Sequence, residues 1–184
     1  MTSYTYLLAY SSVDGQTRQI MQRIARTLQD AGHQVRFCDI ERHAQPEWQG
    51  IDHVVVGGAV RYGDHRPGLY QFVSEQLSEL TVRPNAFFSV NMTARKPGKD
   101  TPEGSRYIEK FLQKSRWQPQ QLAVFAGALR WQRYGLFDKT MIRFIMWLTK
   151  GPTDTRQDVE LTNWAAVDAF AAKLTGAKTP VSAP

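Results

Sequence analysis

The side chains with chemical potential gather in three short stretches. The first is "SSVDGQT", residues 11–17, where an apolar run ends and the apolar spacing of "RQIMQRIARTLQDAG" begins. Ser11, Ser12 and Thr17 offer hydroxyls, and the start of a helix offers unpaired N–H groups and the positive end of a dipole, a combination suited to a phosphate. Gly15 would let backbone approach such a group closely. An equally good account is an ordinary turn, with Asp14 capping the helix and the serines filling the bend. The stretch lacks the lysine of a Walker loop and the glycine spacing of a dinucleotide fingerprint, which disfavours ATP and NAD sites built on those patterns. The second stretch, "GGAVRYGDH", carries Tyr62, able to stack on a planar ring, among glycines that would allow backbone contact with it. A plain surface aromatic at a turn is the alternative. The third, "SVNMTARKPGKDTPE", has Asn91 and Thr93, which can hydrogen-bond the edge of a heterocycle, followed by Arg95 and Lys96.

The elements around these stretches bring them to one edge. "YTYLLAY" reads as a strand, and the helix after it carries Ile20, Ile24, Ala25 and Leu28 at helical spacing and stops at Gly32. "QVRFCDI" and "DHVVVGGAV" are strands, the second with the continuous Val run of a strand covered on both faces. "PGLYQFVSEQLSEL" is an amphipathic helix with Leu69, Phe72, Val73, Leu77 and Leu80 on one side; "NAFFSVNM", "SRYIEKFLQKS", "QLAVFAGAL" and "NWAAVDAFAAKL" continue the alternation. Strand and helix alternating in this way call for an α/β fold, a doubly wound parallel sheet of five strands in the order 2-1-3-4-5, with ligands at the carboxyl ends of the strands. The loops after the first, third and fourth strands converge there. A phosphate cradle, an aromatic face and a polar rim at one edge fit flavin mononucleotide.

Length and composition agree with a single domain over residues 1–176 and a short tail, 177–184, expected to fray. The chain has 184 residues, 42% hydrophobic and 22% charged. "MTSYTYLLAY" has no basic region before a short apolar run, so no export signal is expected and a cytoplasmic location is the default. Cys38 is the only cysteine and reads as a small buried thiol. No Ser-His-Asp or metal-ligand spacing occurs. His33, His43, His53 and His65 are scattered and read as surface or loop residues, so no side chain is assigned as a catalyst and no metal is expected. The net charge of +6 implies an anionic partner: an acidic small molecule, the cytoplasmic leaflet of a membrane, or nucleic acid, for which no recognition motif is present.

Over nearly its whole length the sequence resembles the quinone-dependent protoporphyrinogen dehydrogenases of bacteria, flavodoxin-like enzymes of haem synthesis. "GGAVRYG" and "SVNMTARKP" carry most of the likeness, with "AGALR" and "TDTR"; "YSSVDGQT" alone matches only the broader flavodoxin pattern. The resemblance implies FMN as cofactor. Ser11, Ser12, Val13, Asp14, Gly15, Gln16 and Thr17 would surround its phosphate. Ala59, Val60, Arg61, Tyr62 and Gly63, with Ser89, Val90, Asn91, Met92, Thr93 and Ala94, would border its ring. Asp14 departs from the common flavodoxin loop, standing where a threonine hydroxyl often meets the phosphate; its carboxylate is expected to turn away and cap the helix. The implied reaction is oxidation of protoporphyrinogen IX to protoporphyrin IX, with electrons passing through FMN to menaquinone or ubiquinone. Arg95, Lys96, Arg130 and Arg133 flank the strand ends and are the expected partners of the substrate's propionates.

One segment exceeds the alternation. Between the fifth strand and the last helix, residues of about 130–161 form a long insertion containing "DKTMIRFIMWLTK". This is apolar around most of a helix, with Lys139, Arg143 and Lys150 as a narrow polar stripe, and is too short to span a bilayer, which takes roughly 20 apolar residues. It could lie in the membrane interface or meet a quinone through Lys139, Met141, Arg143, Phe144 and Trp147, leaving the protein peripheral on the cytoplasmic face of the inner membrane. It could instead pack on its own domain or on a second subunit of a homo-oligomer. Rival functions are a flavodoxin-like NAD(P)H:quinone reductase, an electron-carrier flavodoxin, against which the basic charge argues, and a receiver module, against which "YSS" at the first strand's end argues.

Overall fold

The computed structural model describes residues 2–176; the tail assigned to 177–184 lies outside the described residues. Strand β1 (Thr5–Ser11), β2 (Gln34–Asp39), β3 (His53–Arg61), β5 (Asn85–Asn91) and β6 (Gln121–Ala126) pair in parallel in the order β2-β1-β3-β5-β6. This is the 2-1-3-4-5 order of the alternation. A two-residue strand, β4 (Asp64–His65), folds back antiparallel on the end of β3.

Helices α1 (Gln16–Asp30) and α6 (Trp164–Leu174) cover one face of the sheet, and α2 (Pro67–Glu75), α3 (Leu77–Thr81) and α4 (Arg106–Ser115) cover the other. The sequence reason is visible in β3, where Val54 and Val56 enter the layer under α2 and α4, while Val55 enters the layer under α1 and α6. In β5, Phe87 stacks on Phe111 of α4 with ring centroids 3.9 Å apart, and Phe88 meets Phe125 and Phe170 on the opposite face. Cys38 is buried as expected, and burial pushes its thiol up to about 11.

Three sequence expectations change. The helix expected over residues 67–80 is interrupted at Gln76, whose φ of −102° and ψ of 10° end α2, and whose amide oxygen accepts from the Trp48 indole N–H. Gly57 and Gly58 serve packing: a Cβ on Gly57 would lie 2.3 Å from Phe88 Cζ, and one on Gly58 would lie 2.5 Å from Leu69 Cδ2. The fifth strand is shorter than "QLAVFAGAL". It stops at Ala126, and β7 (Ala128–Leu129) pairs antiparallel with β8 (Val159–Glu160). That small ladder ties together the two ends of the insertion, whose main element is α5 (Leu136–Leu148). Ile142 and Met146 of α5 pack on Leu129, Trp131, Tyr134 and Met92, a satellite core next to the strand ends. No helix among the described residues is long and apolar enough to cross a membrane.

Candidate functional site

At the carboxyl edge of the sheet, the loops after β1, β3 and β5 and one face of α5 enclose a cavity of about 490 Å³, within the range of small-molecule sites. Each loop is held in place by contacts of its own.

In the first loop, Gly15 occupies the position before α1 with φ +91°, a left-handed conformation natural to glycine, and no side chain caps the helix. Ser12 Oγ accepts from Gly15 N–H at 3.2 Å, tightening the turn. Asp14, expected to turn away and cap α1, does not cap it and lines the cavity. Its carboxylate pairs with Arg61 at 3.3 Å, and burial pushes its pKa up more than that neighbour holds it down. The consequence is a helix start whose N–H groups remain available. Thr17 sharpens the point: its residue is 1% exposed, it lines the cavity, and its Oγ1 has no hydrogen-bond partner. A buried hydroxyl without a partner costs stability unless a ligand supplies one. The donor set of Ser12, Thr17 and the free helix start fits the phosphate of FMN. Ser11 behaves differently: it is fully buried, and its hydroxyl donates to the Glu41 carboxylate. Val13 and the Gly15 Cα lie off the cavity wall, and the Gln16 amide, though at the wall, is engaged with Thr162 Oγ1 at 2.8 Å and with Arg130 at 2.8 Å.

In the second loop, Ala59, Val60, Arg61, Tyr62 and Gly63 all line the cavity. Tyr62 is at φ +54°, its ring is exposed, and its hydroxyl donates to Asp138 of α5. Arg61 bridges Asp14 and Asp138, the latter at 2.7 Å. In the third loop, Val90, Asn91, Met92, Thr93 and Arg95 line the cavity, while Ser89 and Ala94 are buried. Asn91 Oδ1 accepts from Thr93 Oγ1 at 2.7 Å and from Ala94 N–H at 3.0 Å, so this amide shapes the turn that follows β5. Its Nδ2 donates to Ser89 Oγ at 3.5 Å, and Ser89 Oγ is 3.0 Å from His65 Nε2. His65, expected on the surface, is 3% exposed among Phe87, Phe111 and Tyr70, and burial lowers its pKa to about 4.

The four cations expected to meet propionates separate. Arg95 reaches the cavity, but its guanidinium donates to Met92 O at 2.5 Å, Thr149 Oγ1 at 2.8 Å and Thr149 O at 3.2 Å, fastening the end of α5 to the third loop. Lys96 is not on the cavity wall. Arg130 is mostly buried against Gln16 and Glu160, and Arg133 donates to Asp14 O at 2.7 Å. The residues assigned to membrane or quinone contact also divide. Met141 faces the cavity, whereas Arg143, Phe144 and Trp147 are exposed on the outer side of α5, and Lys139 is half-buried. Lys150 lies beyond the helix end with φ +54°. Arg106, Tyr107, Tyr134, Ile142, Ile145 and Met146 line the cavity without having been singled out in the sequence. Arg106 and Tyr107 read there only as the first turn of an amphipathic helix. The inner residues of α5 read as general apolarity.

Residues 7–156 match the model of a flavodoxin domain family. The chain is 42% identical to protoporphyrinogen IX dehydrogenase (quinone) of Escherichia coli K12, over 91% of this chain and 93% of that one. It is 42% identical to the protein of that name from Leishmania major, over 97% of this chain and 77% of the other. Among solved structures, the two-electron reduced flavodoxin of Megasphaera elsdenii superposes with a TM-score of 0.49 at 13% identity, over 65% of this chain and 84% of that one. The likeness covers nine-tenths or more of the chain, which therefore belongs to the flavodoxin-domain family of protoporphyrinogen IX dehydrogenases (quinone).

Proposed function

We propose that the protein binds FMN in the cavity, oxidises protoporphyrinogen IX to protoporphyrin IX with it, and delivers the electrons to a membrane quinone. The observation that carries this reading is 42% identity extending over 91% of the chain to an enzyme of that name. When bound, FMN supplies the hydride-accepting chemistry, and the protein supplies position and polarity. Ser12, Thr17 and the first-turn N–H groups of α1 hold the phosphate. The stretches 59–63 and 90–93 border the ring, and the apolar side chains of Met92, Met141, Ile142, Ile145 and Met146 keep water from it. No described side chain in the cavity is arranged as a nucleophile. The cavity wall instead fixes where the flavin ring and the tetrapyrrole substrate can lie, and orientation of that kind is itself a large part of a rate enhancement.

The outer face of α5 supports contact with a lipid surface. Leu136 is 87% exposed, Phe137 73%, and Trp147 and Leu148 67% each, beside Arg143, a larger apolar patch than isolated exposed residues make. A lipid-soluble electron acceptor would be met on that side, menaquinone or ubiquinone alike.

Anaerobic reduction tests the reading. Protein loaded with FMN should lose its oxidised flavin absorption on adding protoporphyrinogen IX and regain it on adding a quinone, while NADPH should leave it oxidised. Reduction by NADPH with no response to porphyrinogen would assign the chain to the NAD(P)H:quinone reductases. Phe144→Asp with Trp147→Asp should abolish co-sedimentation with anionic liposomes, and binding untouched by both changes would remove α5 from the contact.

A further inference from the structure

The cavity holds three arginines on its wall: Arg61, Arg95 and Arg106. Arg61 is neutralised by Asp14 and Asp138. Arg95 is committed to Met92 O and Thr149. Arg106 differs: among the described residues it has no carboxylate partner, and its guanidinium meets only Tyr107, whose hydroxyl accepts from Nη2 at 3.3 Å and whose ring centroid is 5.0 Å away. The nearby lysines do not compete for a ligand, since Lys110 and Lys114 both close on Asp64, at 2.9 and 2.5 Å.

Position adds to charge. Thr17 reaches the cavity from α1, on one face of the sheet, and Arg106 reaches it from the start of α4, on the other. A ligand phosphate at Thr17 therefore leaves Arg106 free for a second anion. Much of the remaining wall is apolar, with Met92, Ile142 and Met146 facing the space, beside polar residues such as Asn91 and Thr93. A bulky, largely apolar molecule with a carboxylate at its periphery matches this arrangement. The guanidinium fork pairs with a carboxylate through parallel charge-assisted hydrogen bonds, and Arg106 is exposed and open to such a partner.

We propose that Arg106 is the carboxylate anchor of this cavity, fixing a propionate of the tetrapyrrole substrate and so deciding which ring edge faces the cofactor. This rests on the reading of the cavity as a porphyrinogen site, and the experiment separates the two. The protein loaded with FMN is assayed with protoporphyrinogen IX and with its dimethyl ester, as wild type, Arg106→Ala and Arg106→Lys. The alanine variant should raise KM for the free acid about ten- to a hundredfold with kcat within a few-fold, and should leave KM for the ester unchanged. The lysine variant, keeping charge without the fork, should fall between. The FMN dissociation constant should be the same in all three, since the phosphate is held from the other face. An unchanged KM for the free acid, or an equal rise for the ester, overturns the assignment of Arg106. If the wild type oxidises neither porphyrinogen, the functional reading fails. Arg106 is then judged by titrating protoporphyrin IX and its dimethyl ester into wild type and Arg106→Ala: a loss of affinity confined to the free acid upholds it, and equal affinities overturn it.

Discussion

Thr17→Val should move two measurements in opposite directions. Its Oγ1 is buried and unpartnered without a ligand, and it lies on the cavity wall at the uncapped start of α1. Valine has nearly the same shape and no hydroxyl. In the ligand-free protein the change removes an unsatisfied polar group, whose burial costs about 1–3 kcal/mol, so stability should rise by some part of that. With FMN bound the change removes a hydrogen bond to a charged phosphate, worth about 1.5–3 kcal/mol, so the dissociation constant should rise about 10- to 150-fold. Riboflavin, which has no phosphate, should bind both proteins alike within about twofold. Quenching of flavin fluorescence gives the two affinities, and urea unfolding without flavin gives the stability. An FMN affinity unchanged in Thr17→Val, or an equal loss for riboflavin, would show that the phosphate is not held at this corner. A fall in ligand-free stability would show that the hydroxyl has a partner after all.

Gly57→Ala should destabilise the fold by about 1–3 kcal/mol in urea unfolding, because its Cβ would stand 2.3 Å from Phe88 Cζ in a packed sheet interior; wild-type stability would mean that β5 yields easily there. Asp138→Ala should free one end of α5 from Arg61 and Tyr62 and speed proteolysis within residues 136–150, with Asp138→Asn falling between it and wild type; cleavage at the wild-type rate would refute the latch. His65 gives a pH dependence. Its folded pKa lies near 4, below the ordinary value of 6.5, so its contribution to stability is whole above pH 6.5 and declines as pH falls toward 4, by at most about 3 kcal/mol. Asp64, held well below the usual carboxylate range by Lys114, Lys110 and the Tyr70 hydroxyl against the opposing effect of burial, adds its own loss only below about pH 4. In His65→Gln the decline between pH 6.5 and 4 should shrink to the part due to His53, whose pKa burial also lowers, and a decline of wild-type size in that variant would assign the acid sensitivity elsewhere.

The sheet was legible because its signals are local. The Val run of β3, the Ile-Leu stripe of α1 and the left-handed turn at Gly32 each follow from a few neighbouring residues. The three loops were legible for the same reason, since the topology brings the carboxyl ends of β1, β3 and β5 together whatever their sequence. What the loops do with their side chains was less legible. Asp14 looked like a cap because capping is the common use of an aspartate before a helix, and nothing nearby in sequence revealed Arg61, 47 residues away. Gly57 and Gly58 looked like ligand contacts because the aromatic ring of Phe88 and the Leu69 side chain that need their space arrive from distant elements. His65 looked exposed because its partners, Ser89, Phe87 and Phe111, are long-range as well.

The insertion shows why a single apolar pattern can conceal two surfaces. The sequence of α5 lacks a clear polar face, which left membrane contact and internal packing as alternatives. In the fold it presents two apolar surfaces: Met141, Ile142, Ile145 and Met146 turn toward the cavity, and Leu136, Phe137, Phe144, Trp147 and Leu148 turn outward. One helix thickness then separates the cofactor cavity from whatever covers the outer face. The two anchors of α5, Asp138 on Arg61 and Tyr62, and Thr149 on Arg95, are polar and lie on the loops that border the cavity. Both ends of the helix are therefore tied to the loops that line the site. An enzyme that takes electrons from a tetrapyrrole and gives them to a quinone has two bulky apolar partners to accommodate, and α5 presents one apolar face to the cavity and another to the surface.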